Sequence, residues 1–106
     1  LTSSTMHTLK ISFHKQGDMI YFSQLDIFRL FIRALRRTEL PIVYTGGFNP
    51  HPKISFSNAV KLGIEGDFET TFYFEQALEP QQFKEAFTAQ IPPDLVITNI
   101  SPKPVL

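Results

Sequence analysis

The chain has 106 residues, which suits one domain, and its 42% hydrophobic and 19% charged content is that of a water-soluble globular fold. Ten basic and ten acidic residues cancel, so net charge points to no polyanionic partner and a basic patch has to come from distribution along the chain. The absence of cysteine excludes disulfides, thiolate catalysis and cysteine-based zinc or iron–sulfur sites within the chain.

No apolar run is long enough to span a membrane and the opening residues carry no signal-peptide pattern, so the expected location is the cytoplasm. Residues 1–6 (LTSSTM) read as a tag or linker remnant, 7–101 as the folded domain and 102–106 as a linker. The start at Leu rather than Met suggests a piece of a longer protein.

Thr8 to His14 alternates, with Leu9, Ile11 and Phe13 on one side, and predicts a half-buried strand that Gly17-Asp18 breaks. Ser23 is a good helix N-cap with Asp26 in the capping-box position, and a helix is expected from Gln24 to about Arg37. At 100° per residue, Asp26, Arg29, Arg33, Arg36 and Arg37 share an arc of roughly 100°. Apolar residues fill nearly all the rest, more than one sheet face covers, which predicts a second partner surface. That partner would be a missing domain or another subunit.

Pro41 to Tyr44 reads as a short extra strand, followed by the loop Thr45-Gly46-Gly47-Phe48-Asn49-Pro50-His51-Pro52. Ile54, Phe56, Val60 and Leu62 share one side of a strand, and Glu69 to Glu75 forms its hairpin partner with Thr70, Phe72 and Phe74 inward. Pro80 opens a second helix that Pro92-Pro93 stops, and Leu95 to Ile100 is the last strand. The order strand, helix, strand, strand, helix, strand predicts an α+β, ferredoxin-like βαββαβ fold. Its antiparallel four-stranded sheet would carry two helices on one face.

The open face of that sheet would show Thr8, Lys10, Ser12, Ser55, Ser57, Lys61, Thr71 and Tyr73. Only Tyr73 there is aromatic, which disfavours base stacking in the manner of an RNA-recognition motif.

The arginine arc is the most informative feature. Arg29, Arg33, Arg36 and Arg37 can grip successive phosphates by bidentate bonds, and no acid interrupts them after Asp26; the bland alternative is a solvated helix face. In the loop, Gly46 and Gly47 let backbone N–H groups approach a phosphate, Phe48 can stack on a base, and Asn49, His51 and Lys53 complete a polyanion-binding set. The alternative is an ordinary turn in which Phe48 plugs the core. The loop lacks the GK[ST] of a P-loop. His7, His14 and His51 lack metal-ligand spacing, so no metal or other cofactor is expected in the chain. His51 with Tyr44 is the one acid/base pair worth testing.

Together, Phe22-Ser23-Gln24-Leu25-Asp26, Arg29, Arg33-Ala34-Leu35-Arg36-Arg37, Leu40-Pro41, Tyr44, Gly47-Phe48-Asn49-Pro50-His51-Pro52, Ile54-Ser55-Phe56 and Leu62-Gly63 resemble an uncharacterised bacterial family. It is the radical-SAM-linked domain, found beside or fused to cobalamin-binding radical SAM proteins. The resemblance spans about residues 8 to 100. The family domain is about twice as long, so this chain looks like its N-terminal half, with the C-terminal half or a second subunit as the missing cover.

The resemblance implies an accessory role beside a radical SAM enzyme that holds its own cluster and cofactors. The family's RNA-related gene neighbourhood, and its likeness in layout to the ferredoxin-like RNA-processing RAMP proteins, imply an RNA partner. Three readings follow. One is a non-catalytic module binding RNA or another phosphate-bearing ligand. Another is a protein-interaction module docking on the radical SAM protein. The last is a metal-independent ribonuclease. The chain departs from the family at Gln24, where His is common, and at Thr38-Glu39, where a small residue and Gly are common.

Overall fold

The computed structural model describes residues 7–103; the six residues expected to be a tag or linker remnant and the last three of the expected linker lie outside it. Strands β1 (His7–Lys15), β2 (Ile54–Phe56), β3 (Gly66–Phe74) and β4 (Leu95–Lys103) form one antiparallel sheet in the order β2-β3-β1-β4. Helices α1 (Gln24–Thr38) and α2 (Pro80–Thr88) sit in the two crossovers, giving the ferredoxin-like βαββαβ arrangement. The extra strand predicted at 41–44 exists as two isolated bridges, Ile42 to Phe74 and Tyr44 to Pro52.

Local chemistry accounts for each element. Ser23 and Asp26 form a reciprocal capping box, with the Ser23 N–H donating to Asp26 Oδ2 at 3.0 Å and the Asp26 N–H to Ser23 Oγ at 3.1 Å. The Ser23 N–H, then the Ser23 hydroxyl, hold the Asp26 carboxyl below its ordinary pKa. At the other end Glu39 leaves α1 in the left-handed region (φ 60°). Between β1 and α1 the predicted break is a 3-10 turn, Gly17–Tyr21. Gly17 has φ 56°, and a Cβ there would collide with the Asp94 carboxylate.

The core is Phe-rich, as the composition predicts. Phe13 lies 4.8 Å from Phe31 and 5.3 Å from Phe68, and Phe72 lies 5.3 Å from Phe87. Each such ring pair contributes about 0.5–1.5 kcal/mol beyond area burial. Ile27, Phe31, Ala34 and Leu35 are the fully buried side of α1.

Two expectations are corrected. The strand predicted from Ile54 through Leu62 ends at Phe56, so Ser57 and Lys61 lie in the following loop and not on the open sheet face. Backbone groups of that loop find other partners. The Val60 N–H donates to Gln24 Oε1 at 3.0 Å, the Gly63 N–H to the Ile20 carbonyl at 2.6 Å, and the Lys61 carbonyl accepts from Lys15 Nζ. The last strand, in turn, runs three residues past Ile100, so Pro102 and Lys103, read as linker, pair with Leu9 and Thr8.

Candidate nucleic-acid interface

Arg29, Arg33, Arg36 and Arg37 lie exposed along the side of α1 turned from the sheet. No ion pair engages any of the four among the described residues. Asp26, the one acid of the arc, spends its carboxylate on the capping box. The four guanidiniums therefore lie outside any close ion pair, with Arg29 attracting the Asp26 carboxylate only at longer range.

The loop is a small arch. At its base Tyr44 bridges Pro52, the Thr45 N–H donates to the His51 carbonyl at 2.8 Å, and the His51 N–H donates to Thr45 Oγ1 at 3.2 Å. The arch also grips α1, since Arg36 Nη2 donates to the Pro50 carbonyl at 3.4 Å and the His51 ring meets Phe28 edge-on at 5.4 Å. The helix edge and the loop, read separately in the sequence, thereby meet at Arg36 and Pro50. Gly46, Gly47, Phe48 and Asn49 form the exposed tip. Phe48 is 101% exposed, which overturns the alternative in which it plugs the core.

One candidate stands apart. Lys53 holds its ammonium 4.7 Å over the Tyr73 ring, on the open side of the sheet, away from the arginines. Tyr73 in turn shares a hydrogen bond with Ser55 at 3.0 Å, so the one aromatic of that face is already covered by a cation. His51 is half-buried, with Nδ1 3.0 Å from the Pro52 carbonyl. No hydrogen bond joins it to Tyr44 among the described residues.

Sequence reasoning missed a cluster at the far end of the open face. His14 Nδ1 lies 2.6 Å from Asp67 Oδ1 and its Nε2 2.8 Å from Glu65 Oε2. The hydrogen bond to Asp67, then that to Glu65, raise the His14 pKa above the ordinary 6.5. The carboxylates sit on opposite ring nitrogens, so they do not converge with the imidazole on one point. Among the described residues no group of histidines and carboxylates is placed to hold a metal ion. The adjacent Lys15 is 2% exposed, with Nζ donating to the Ile20 and Lys61 carbonyls, and burial lowers its pKa. The alternation of Glu65 and Asp67 about Gly66 was the one available signal, and it identifies no partner strand.

A second surface borders the arch. Gln24, Leu25, Phe28, Ile54 and Phe56 line an open groove between α1 and β2, and Leu25 is 52% exposed. Part of the wide apolar arc of α1 is thus uncovered in this chain. No described helix is long and apolar enough to cross a membrane.

No curated protein and no solved structure matches the chain. A family model described as "Uncharacterized protein conserved in bacteria (DUF2344)" matches residues 8–105. With nearly the whole chain matched, the protein belongs to this bacterial family.

Proposed function

We propose that the chain is a non-catalytic accessory module of a radical SAM system that binds RNA or another phosphate-bearing ligand along α1 and the arch. One observation carries the binding reading: Arg36 joins the two sequence candidates into one surface of unpaired guanidiniums beside a glycine-bearing tip. Guanidiniums paired with neighbouring carboxylates would be structural; left unpaired in a chain of zero net charge, they supply a local positive field for an anionic partner. The radical SAM setting rests on the sequence resemblance. The test is binding of RNA by the full-length protein as a function of salt. Affinity that falls steeply with salt supports the reading, and binding that is absent or insensitive to salt removes it.

A second reading has its own observation. The groove at Leu25, Phe28, Ile54 and Phe56 leaves apolar surface open, which favours a protein-interaction module docking on the radical SAM protein. Co-purification with that protein, abolished in Leu25→Glu but kept in Arg33→Glu, favours docking through the groove.

A further inference from the structure

We infer that the arch is a stacking finger that selects unpaired nucleotides, so that the preferred ligand is single-stranded nucleic acid rather than a duplex or a base-free polyanion. The inference rests on the phosphate-binding reading above and adds the part of the ligand that Phe48 meets.

Three features of the tip carry it. Phe48 is fully exposed and makes no ring contact among the described residues, so its ring is open to a partner. A large apolar side chain held in water forgoes the burial that stabilises its counterparts in the core, and a partner's surface is where that burial becomes available. The base of the arch is also fixed, by the Tyr44–Pro52 bridge and the Thr45–His51 bonds. Phe48 therefore projects from an ordered stem.

The glycines supply the last feature, and they differ. Gly47 has φ 97°, which explains its lack of a side chain. Gly46 has no such conformation, and a Cβ built there would meet nothing within 4 Å. The fold makes no demand for glycine at 46. A bare backbone beside an exposed ring suits close approach of a ligand to the Gly46 N–H and Cα.

The chemistry of the pair selects the ligand. The guanidiniums meet phosphates and do not distinguish RNA, duplex or polyphosphate. Phe48 has no donor or acceptor with which to read a base edge. In a duplex both faces of every internal base are already stacked, which leaves the ring nothing to cover. An unpaired base offers a free π-face next to its own phosphate, and this matches an exposed ring two residues from the Pro50 carbonyl that Arg36 bonds.

The test uses the full chain and three probes of equal charge: an unpaired oligoribonucleotide, a blunt duplex and inorganic polyphosphate. The wild type should bind the unpaired strand about tenfold more tightly than either other probe. Phe48→Ala should remove that preference while leaving polyphosphate binding and the melting temperature unchanged, and Phe48→Tyr should retain it. Gly46→Val should weaken strand binding without lowering the melting temperature. Equal affinity of the wild type for all three probes, or an undiminished preference in Phe48→Ala, overturns the stacking finger and leaves the phosphate reading standing. Failure to bind any probe removes both. Loss of a protein partner in Phe48→Ala with strand affinity intact assigns the ring to a protein surface and overturns the inference.

Discussion

Arg36 Nη2 and the Pro50 carbonyl meet at 3.4 Å, and this is the one hydrogen bond from the arginine edge of α1 to the arch among the described residues. The bond is long and exposed, so it contributes little to stability. Arg36→Glu should shift the urea midpoint by the equivalent of no more than about 0.5 kcal/mol. Its effect on a polyanion should be much larger. The slope of log affinity against log salt should flatten by about one for each phosphate that a guanidinium no longer neutralises, and Arg33→Glu with Arg36→Glu should flatten it by about two. A slope identical to wild type would show that these guanidiniums do not meet phosphate.

His14 makes stability depend on pH in a defined sense. Its folded pKa is raised by Asp67 and Glu65, so the folded state binds the proton more tightly than the unfolded chain. The contribution is fully present below the unfolded value, near 6.5, and is lost as pH rises through the higher folded value. Urea midpoints measured between about pH 5.5 and 9 should fall with rising pH in the wild type. The midpoints of His14→Gln should fall less. Parallel curves for the two proteins would show that the cluster does not hold the proton. The groups facing His14 are Asp67 and Glu65, with Lys10 and Glu69 pairing at 3.2 Å further along the same face.

How much of this was legible in the sequence depends on the distance between partners. The capping box at Ser23 and Asp26, the alternation in β1 and Pro80 at the start of α2 are local signals, and each element formed where they stood. The arginine edge was legible because helical periodicity is local as well. The end of β2 was not. Val60 and Leu62 continue the period of two, and only Gln24, Ile20 and Lys15, distant in sequence, show that this backbone bonds elsewhere. Lys15 was likewise invisible, since a lysine at a strand end is expected in water. Its burial is accounted for by two carbonyls contributed from positions 20 and 61. The His14 cluster needs the register that sets His14 opposite Asp67, which no pattern within either strand states.

Thr70 offers a test of the core. It is 0% exposed on β3, opposite Ile11 and Phe56, and its Oγ1 has no hydrogen-bond partner among the described residues. A buried hydroxyl without a partner carries a desolvation cost of about 1–3 kcal/mol. Thr70→Val keeps the shape and removes that cost, so it should stabilise the fold by about 1 kcal/mol in chemical denaturation. Thr70→Ser keeps the hydroxyl and deletes a buried methyl, so it should destabilise. A destabilised Thr70→Val would mean that the hydroxyl has a partner, such as a buried water.

Glu39 tests the end of α1. Its φ of 60° and ψ of 20° place a residue with a Cβ in the left-handed region, where L-residues pay roughly 1–2 kcal/mol. Glycine relieves that strain but gives the unfolded chain more freedom, a loss of about 0.5–1 kcal/mol. Glu39→Gly should therefore gain about 0.5–1 kcal/mol, which corresponds to a melting temperature higher by roughly 2–6 °C for a chain of this size. A second effect has the same sign. The Glu39 carboxylate lies at the negative end of the helix dipole, so removing its charge is itself favourable by about a few tenths of a kcal/mol. Glu39→Gln separates the two, because it removes the charge and keeps the Cβ. If the backbone dominates, Gln should recover only a small part of the gain and Ala little more. A Gln variant as stable as the Gly variant would assign the effect to charge and leave the left-handed cap without a measurable cost.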